Sequence, residues 1–243
     1  MAKYGLIGKN IGYSFSKHFF TAKFENEKRQ DTYQNFDLQD INEFPKLISE
    51  NCALRGLNVT VPYKESIIPF LDKIDIEAKA IGAVNTIKFM KSGKLNGYNT
   101  DYYGFAKVLT EIPPLKERTA LILGTGGASK AITYVLDTLG FKIIFVSRTK
   151  KEGTITYNEL TQEIISSHYL IINCTPLGTF PRIEEFPNIP YQYLTNEHFL
   201  FDLTYNPQVT SFMKFGKIKG ANTCNGMKML EYQAEKALTI WKR

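Results

Sequence analysis

Leu123-Gly124-Thr125-Gly126-Gly127-Ala128-Ser129 constrains this chain more than any other stretch, because of what lies on either side of it. Residues 119–124 form an apolar run suited to a buried strand, and residues 128–139 carry a helical pattern that stops at Gly140, a natural C-cap. A glycine-rich turn between such elements opens a nucleotide-binding βαβ unit. Gly124 permits the tight turn, Gly126 lets the backbone approach a pyrophosphate, and the helix start at Gly127 and Ala128 offers amide donors and a favourable dipole. Thr125 belongs to the same loop, and Ser129 replaces the third glycine, making this a variant fingerprint. An ordinary tight turn reads the same glycines without a ligand; the flanking strand and helix favour the nucleotide.

The next strand, residues 142–147, carries the second half of the signal. A protein that binds NAD places an acidic residue at this strand end to hold the ribose 2′-hydroxyl. Here the strand runs into Ser147-Arg148-Thr149-Lys150-Lys151, with no carboxylate before Glu152. A guanidinium, hydroxyls and ammonium groups suit a 2′-phosphate, so the expected cofactor is NADP(H). The chain is then short before the strand at 169–174. Lys150-Lys151-Glu152-Gly153 runs almost directly into strand-like residues 154–157, so one crossover helix is expected to be missing. That leaves the adenosine side more open and predicts weaker cofactor affinity than in a longer relative.

The first hundred residues alternate short strands (4–8, 32–38, 57–61) with helical patterns (18–29, 41–50, 66–74) and close with a hairpin over 83–90 and 94–98. This is an α/β layer with parallel pairings. Within it, Lys64 and Asp101 end two turn-rich segments, Gly56–Lys64 and Gly97–Asp101, that are rich in asparagine and threonine. A Lys/Asp pair suits proton transfer to a hydroxyl or carbonyl oxygen: the lysine donates, and the aspartate holds it and accepts from a substrate hydroxyl. The competing reading makes Lys64 a solvated lysine and Asp101 the N-cap of the helix at 103–111. Pro113 and Pro114 end that helix and mark a hinge. A further strand covers 198–203, and a long helix runs from about Gly226 to the end.

Composition narrows the classes. The 243 residues are 43% hydrophobic and 22% charged, ordinary for a folded globular chain. The net charge is +6, but the lysines are dispersed and only Arg148–Lys151 is a tight basic cluster, so nucleic acid is not expected and small anions are. Three cysteines, Cys52, Cys174 and Cys224, are too few and too scattered for a zinc site or disulfide framework and read as reduced thiols. With no signal-peptide pattern and no membrane-length apolar run, the chain reads as cytoplasmic with no membrane partner.

Taken together, the motifs resemble the shikimate dehydrogenase family over nearly the whole chain. Gly5-Leu-Ile-Gly8 with Tyr13-Ser14-Phe15-Ser16-Lys17-His18 resembles the segment whose serines, here Ser14 and Ser16, bind the substrate carboxylate. Asn58-Val-Thr-Val-Pro-Tyr-Lys64 is similar to the catalytic-lysine motif. Ile81-Gly-Ala-Val-Asn-Thr86 and Gly97-Tyr-Asn-Thr-Asp101 match two more signatures. Asp202-Leu-Thr-Tyr-Asn-Pro207 resembles the segment with a substrate-facing tyrosine, Tyr205, and a nicotinamide-side backbone contact, Leu203. Gly226-Met-Lys-Met-Leu-Glu-Tyr-Gln233 resembles the helix that returns a glutamine to the substrate.

The resemblance implies NADP-dependent, reversible reduction of 3-dehydroshikimate to shikimate in aromatic amino-acid biosynthesis, with no metal. Lys64 and Asp101 would be catalytic; Ser14, Ser16, Asn58, Thr60, Asn85, Tyr205 and Gln233 would bind substrate. Gly124, Thr125, Gly126, Gly127, Ala128, Ser147, Arg148, Thr149, Lys150, Thr175, Leu203 and Gly226 would bind NADP(H). It implies a substrate domain of residues 1–102 and 226–243, a Rossmann-like domain of 103–225, an active-site cleft between them, and a monomer or homodimer. The chain departs from the family pattern at Ser147 (usually asparagine), Pro176 (commonly serine), Asn225 (usually aspartate) and in the shortened segment after Arg148. Quinate or dual shikimate/quinate dehydrogenase is the nearest alternative. A non-catalytic sensor and a folate-linked dehydrogenase are more distant; the Lys64/Asp101 pair disfavours the first and the serine pair the second.

Overall fold

A computed structural model describes residues 1–12 and 14–242. They divide into two compact units, Met1–Gly104 with Glu231–Arg243, and Phe105–Leu230.

The first unit carries β1 (Lys3–Gly8), α1 (Phe15–Asn26), β2 (Thr32–Asp37), α2 (Phe44–Glu50), β3 (Leu54–Val59), β4 (Lys73–Ile74), α3 (Ile76–Ile81), β5 (Thr86–Phe89), β6 (Leu95–Tyr98) and the start of α4 (Asp101–Leu109). The sheet order is β2-β1-β3-β5-β6-β4. β1 pairs in parallel with both β2 and β3, while β5 joins β3 and β6 antiparallel as the expected hairpin. Alternation along β1 sends Tyr4 and Leu6 to one apolar layer and Ile7 to the other, so both faces are covered. On the Tyr4 side an aromatic cluster forms: Phe20, fully buried, lies 4.6 Å from the Tyr33 ring and 5.2 Å from the Trp241 ring. The Trp241 indole nitrogen donates to the Ile87 carbonyl at 2.9 Å.

The helix expected over 66–74 is absent. Pro69 removes an amide donor and crowds the preceding turn, leaving a single 3₁₀ turn, Ile68–Phe70, and the two-residue β4. The strand expected over 57–61 is shifted to Leu54–Val59, and the helix expected from His18 begins at Phe15 because Ser14 caps it. The helical pattern at 41–50 splits at Glu43: Asp40 closes a capping box on a 3₁₀ turn, and Pro45 then opens α2.

The second unit carries β7 (Thr119–Leu123), α5 (Gly127–Thr138), β8 (Lys142–Ser147), β9 (Thr154–Thr156), α6 (Gln162–Ser166), β10 (Leu170–Asn173), β11 (Phe199–Asp202), α7 (Ser211–Ile218), β12 (Asn222–Cys224) and the start of α8 (Met227–Lys242). Every pairing is parallel, in the order β12-β11-β10-β7-β8-β9. This is the doubly wound dinucleotide-binding order, with its switch point between β7 and β10. β7, β10 and β11 are buried at every position, as strands covered on both faces must be. α6, α7 and β12 were not foreseen; the first two are short, and α7 is marked mainly by its Thr210 cap.

No helix joins β8 to β9, as the short spacing predicts. The direct link works because β9 starts opposite Phe145, near the C-terminal end of β8, so the chain travels back only a little. Among the described residues no helix is long and apolar enough to cross a membrane.

Trp241 is the sole tryptophan, so its fluorescence reports unfolding of the first unit. Phe20→Ala should destabilise that unit by about 3–5 kcal/mol, read as a lower urea midpoint by tryptophan emission. An unchanged midpoint would show that the aromatic cluster does not hold this unit together.

Candidate active site

In the first unit the backbone fixes both ends of the Lys64/Asp101 pair. The Lys64 carbonyl accepts from the Val84 amide at 2.7 Å, just ahead of β5. Asp101 is the first residue of α4 and not its cap. Asn99 supplies the cap: its Oδ1 accepts from the amides of Asp101 at 3.0 Å and Tyr102 at 3.3 Å. The Asp101 carboxylate is thus released from capping, and Oδ2 lies 2.7 Å from Lys64 Nζ. The side chains are 17% and 13% exposed, dry enough to strengthen the pair and open enough for a ligand to reach it. The geometry fits a lysine aimed by a carboxylate, and not the solvated-lysine alternative.

Beside this pair runs a buried hydrogen-bonded network. Tyr33 Oη donates to Asn58 Oδ1 at 2.8 Å, and Asn58 Nδ2 donates to Thr86 Oγ1 at 3.2 Å and to the Asn85 carbonyl at 3.3 Å. Asn85 Oδ1 accepts from the Thr100 amide at 2.6 Å, while its Nδ2 donates to Thr100 Oγ1 at 3.1 Å. Thr100 Oγ1 reaches Gln233 Oε1 at 3.2 Å. Burial pushes the Tyr33 phenol well above its usual range, so it stays a neutral donor. Asn58 spends both ends of its carboxamide inside this network, which makes it an organiser of the site. Tyr33, Thr86 and Thr100 are part of the same network and were not singled out from sequence; Tyr33 reads there as one more apolar strand residue.

Ser14 and Ser16 are not equivalent. Ser14 caps α1, accepting from the Lys17 amide at 3.3 Å, and it lines a cavity of about 400 Å³ together with Lys17, His18 and Glu25. Ser16 sits half-buried in the first turn. Thr60 is half-buried after β3, its amide bonded to the Ile7 carbonyl at 2.9 Å. Tyr205 is half-buried in the turn after β11, in the second unit.

In that second unit a cavity of about 600 Å³ opens at the sheet's switch point. Gly124 holds φ at +99°, a value that favours glycine, and a Cβ there would press on the Thr175 methyl at 2.9 Å. Gly124, Thr125, Gly126, Ser147, Arg148, Thr149 and Thr175 all line the cavity. Gly127 and Ala128 open α5 immediately behind. Ser129 is buried and donates to the Gly126 carbonyl at 2.7 Å, so it fills the third-glycine position by closing the turn.

The two lysines divide. Lys150 turns to Glu159, Nζ to Oε1 2.6 Å, and takes no part in the lining. Lys151 does line it, with Nζ 3.3 Å from Thr125 Oγ1. A sequence signal for this existed: Thr156 and Glu159 form a capping box, and that fixes Glu159 where it captures Lys150. The Lys150 ammonium and the Thr156 bonds hold the Glu159 carboxyl down to about 2. Tyr157 follows on the cavity wall with its hydroxyl buried and unpartnered; burial pushes the phenol up to about 12, against the pull of Arg148.

Below the cavity, fully buried Asp202 ties three loops together. It accepts from Asn173 Nδ2 and the Thr204 amide, each at 3.0 Å, and from Thr210 Oγ1 at 2.6 Å. Burial pushes its carboxyl above the usual range against those bonds. Burial likewise raises the Cys174 thiol, with Asp202 adding to it. The Leu203 amide donates to the Asn173 carbonyl at 3.1 Å, and Gly226 packs so closely on Leu203 that a Cβ would run into its carbonyl.

The chain is similar to known proteins over its full length. Residues 6–87 match the family model described as the shikimate dehydrogenase substrate binding domain. The shikimate dehydrogenase (NADP(+)) of Clostridium beijerinckii is 41% identical, over 100% of this chain and 92% of the relative. The crystal structure of shikimate dehydrogenase from Aquifex aeolicus superposes with a TM-score of 0.88 at 36% identity, covering 99% of this chain and 92% of that one. A shikimate dehydrogenase solved in complex with NADP+ superposes with a TM-score of 0.89 at 33% identity, covering 99% of this chain and 90% of that one.

Asn99→Ala should remove the α4 cap and cost about 1–2 kcal/mol, measured by chemical denaturation. A variant as stable as the parent would show that Asn99 does not hold the start of α4. The chain belongs to the shikimate dehydrogenase family.

Proposed function

We propose that the protein is an NADP-dependent shikimate dehydrogenase that reversibly reduces 3-dehydroshikimate to shikimate in aromatic amino-acid biosynthesis. The observation that carries this reading is the 2.7 Å Lys64–Asp101 pair, half-buried beside a ready-made array of amide and hydroxyl groups.

The residues around the 600 Å³ cavity fit NADP(H). Gly124 and Gly126 admit a pyrophosphate to the start of α5, and Arg148 and Lys151 offer cations where a 2′-phosphate needs them. No acidic residue stands at the end of β8 to prefer a bare ribose. NADP(H) supplies the hydride when bound.

The chain supplies position and protons. Lys64 Nζ gives its proton to the carbonyl oxygen as that oxygen becomes a hydroxyl, and takes one back in the reverse direction. Asp101 keeps Nζ aimed, and its second oxygen can accept from a neighbouring ring hydroxyl. Ser14 accepts from the α1 backbone through a lone pair and so keeps its proton to donate to the substrate carboxylate. Thr60 and Gln233 orient the ring hydroxyls, and Asn85, its carboxamide committed to Thr100, holds that array in place together with Asn58.

Lys64→Ala should lower kcat for shikimate-dependent NADP+ reduction by about 10²–10⁴-fold while KM for shikimate shifts only a few-fold. A large rise in KM with kcat preserved would make Lys64 a binding residue only. On the cofactor side, Lys151→Ala should raise KM for NADP+ about tenfold, and Lys150→Ala should leave it within about twofold. The reverse ranking would contradict the assignment of Lys151 to the cofactor.

A further inference from the structure

The cavity at the switch point is lined by a third cation that no glycine or strand-end motif marks. Arg182 comes from the long turn-rich connection between β10 and β11, and it lines the cavity together with Arg148 and Lys151. The connection is held in place. The Phe180 amide donates to the Asn206 carbonyl at 3.1 Å, Ser211 Oγ donates to the Ile183 carbonyl at 3.4 Å, and the Phe186 ring packs 4.8 Å from that of Phe215. Arg182 is therefore presented at a defined place on the rim.

Its charge is already engaged. Glu185, three residues further on across a turn, also lines the cavity, and its Oε1 lies 3.3 Å from the Arg182 guanidinium. The side chains are 67% and 38% exposed, so water and salt screen the pair and its partners exchange readily. Lys151 Nζ meets the Thr125 hydroxyl, and Lys150 is held outside by Glu159. Among these lining charges, Glu185 is the one carboxylate that stands against three cations. A phosphate entering the cavity competes with Glu185 for Arg182, and it offers the guanidinium a more highly charged oxygen acceptor.

We propose that Arg182 is a further phosphate-binding residue for the dinucleotide and that Glu185 is its built-in competitor, which lowers cofactor affinity. This rests on the NADP(H) reading above. Binding exchanges the Glu185 carboxylate for a phosphate on Arg182 and leaves Glu185 to the solvent. No covalent step is involved.

Because both side chains are exposed, neutral variants should fold. Titrate the intact protein, Arg182→Gln, Glu185→Gln and, as a control, Glu184→Gln with NADP+ and with 2′,5′-ADP, at low and at physiological ionic strength. Arg182→Gln should weaken binding about five- to tenfold and Glu185→Gln should tighten it about two- to fivefold. Both effects should shrink with salt. Glu184→Gln makes the same charge change just outside the lining and should leave the affinity unchanged. Weakening confined to NADP+ would assign Arg182 to the pyrophosphate, and weakening of both ligands to the adenosine phosphates; either supports the proposal. Unchanged affinity in Arg182→Gln, or a loss in Glu185→Gln, overturns it while leaving the NADP(H) reading intact. Failure of the parent protein to bind either ligand overturns that reading and this proposal with it.

Discussion

The Asn85 carboxamide is the joint on which the first unit's site depends. Its backbone pairs with Tyr98 and Val59, linking β3 to the hairpin, and its side chain takes the Thr100 amide at 2.6 Å and gives to the Thr100 hydroxyl. Those bonds fix the residue immediately before Asp101, and Asn99 then caps α4 from the other side. Asp101 is left with its carboxylate free of capping and paired with Lys64 Nζ. Such a network is worth having only if every member is satisfied, since an unpaired buried amide costs about 1–3 kcal/mol. Asn58, Thr86, Tyr33 and Gln233 complete the set. The unit has invested its core polarity in placing one lysine and one carboxylate.

The second unit solves a different problem, holding several negative charges without burying a countercharge for each. The sheet order opens a crevice between β7 and β10, Gly124 and Gly126 keep its floor free of side chains, and the cations stand on the rim, where hydration keeps them inexpensive. Asp202 is the exception, a carboxylate fully buried below the cavity. Its three hydrogen bonds hold the ends of β10 and β11 and the cap of α7 in register, and burial still raises its pKa. The missing β8–β9 helix fits this arrangement: the chain passes directly into β9 and the 3₁₀ turn Tyr157–Glu159, and Tyr157 lines the cavity.

Much of this was legible in the residues. The glycine fingerprint, the strand-end cations and the missing helix all lie in local patterns, where period and spacing carry the information. The Lys64/Asp101 pair was legible as chemistry but not as geometry, because nothing local says that Asn99 and not Asp101 caps α4. Lys150 and Lys151 follow the same strand and read alike in sequence; the contact that separates them, Lys150 with Glu159, lies nine residues away. Tyr33, Arg182 and Glu185 escaped for the same reason, being ordinary in their own segments and informative only once distant chain is folded beside them. The false helix at 66–74 came from weighing an apolar pattern above Pro69.

The central claim is that Lys64 and Asp101 serve shikimate and that the cations beside the glycine turn select NADP. The most direct test is the rise of reduced-nicotinamide absorbance with shikimate or quinate against NADP+ or NAD+. The account predicts kcat/KM highest, by a wide margin, for shikimate with NADP+. Preference for quinate or for NAD+ would contradict it, and silence in all four combinations would make this chain a binder of such ligands and not a dehydrogenase.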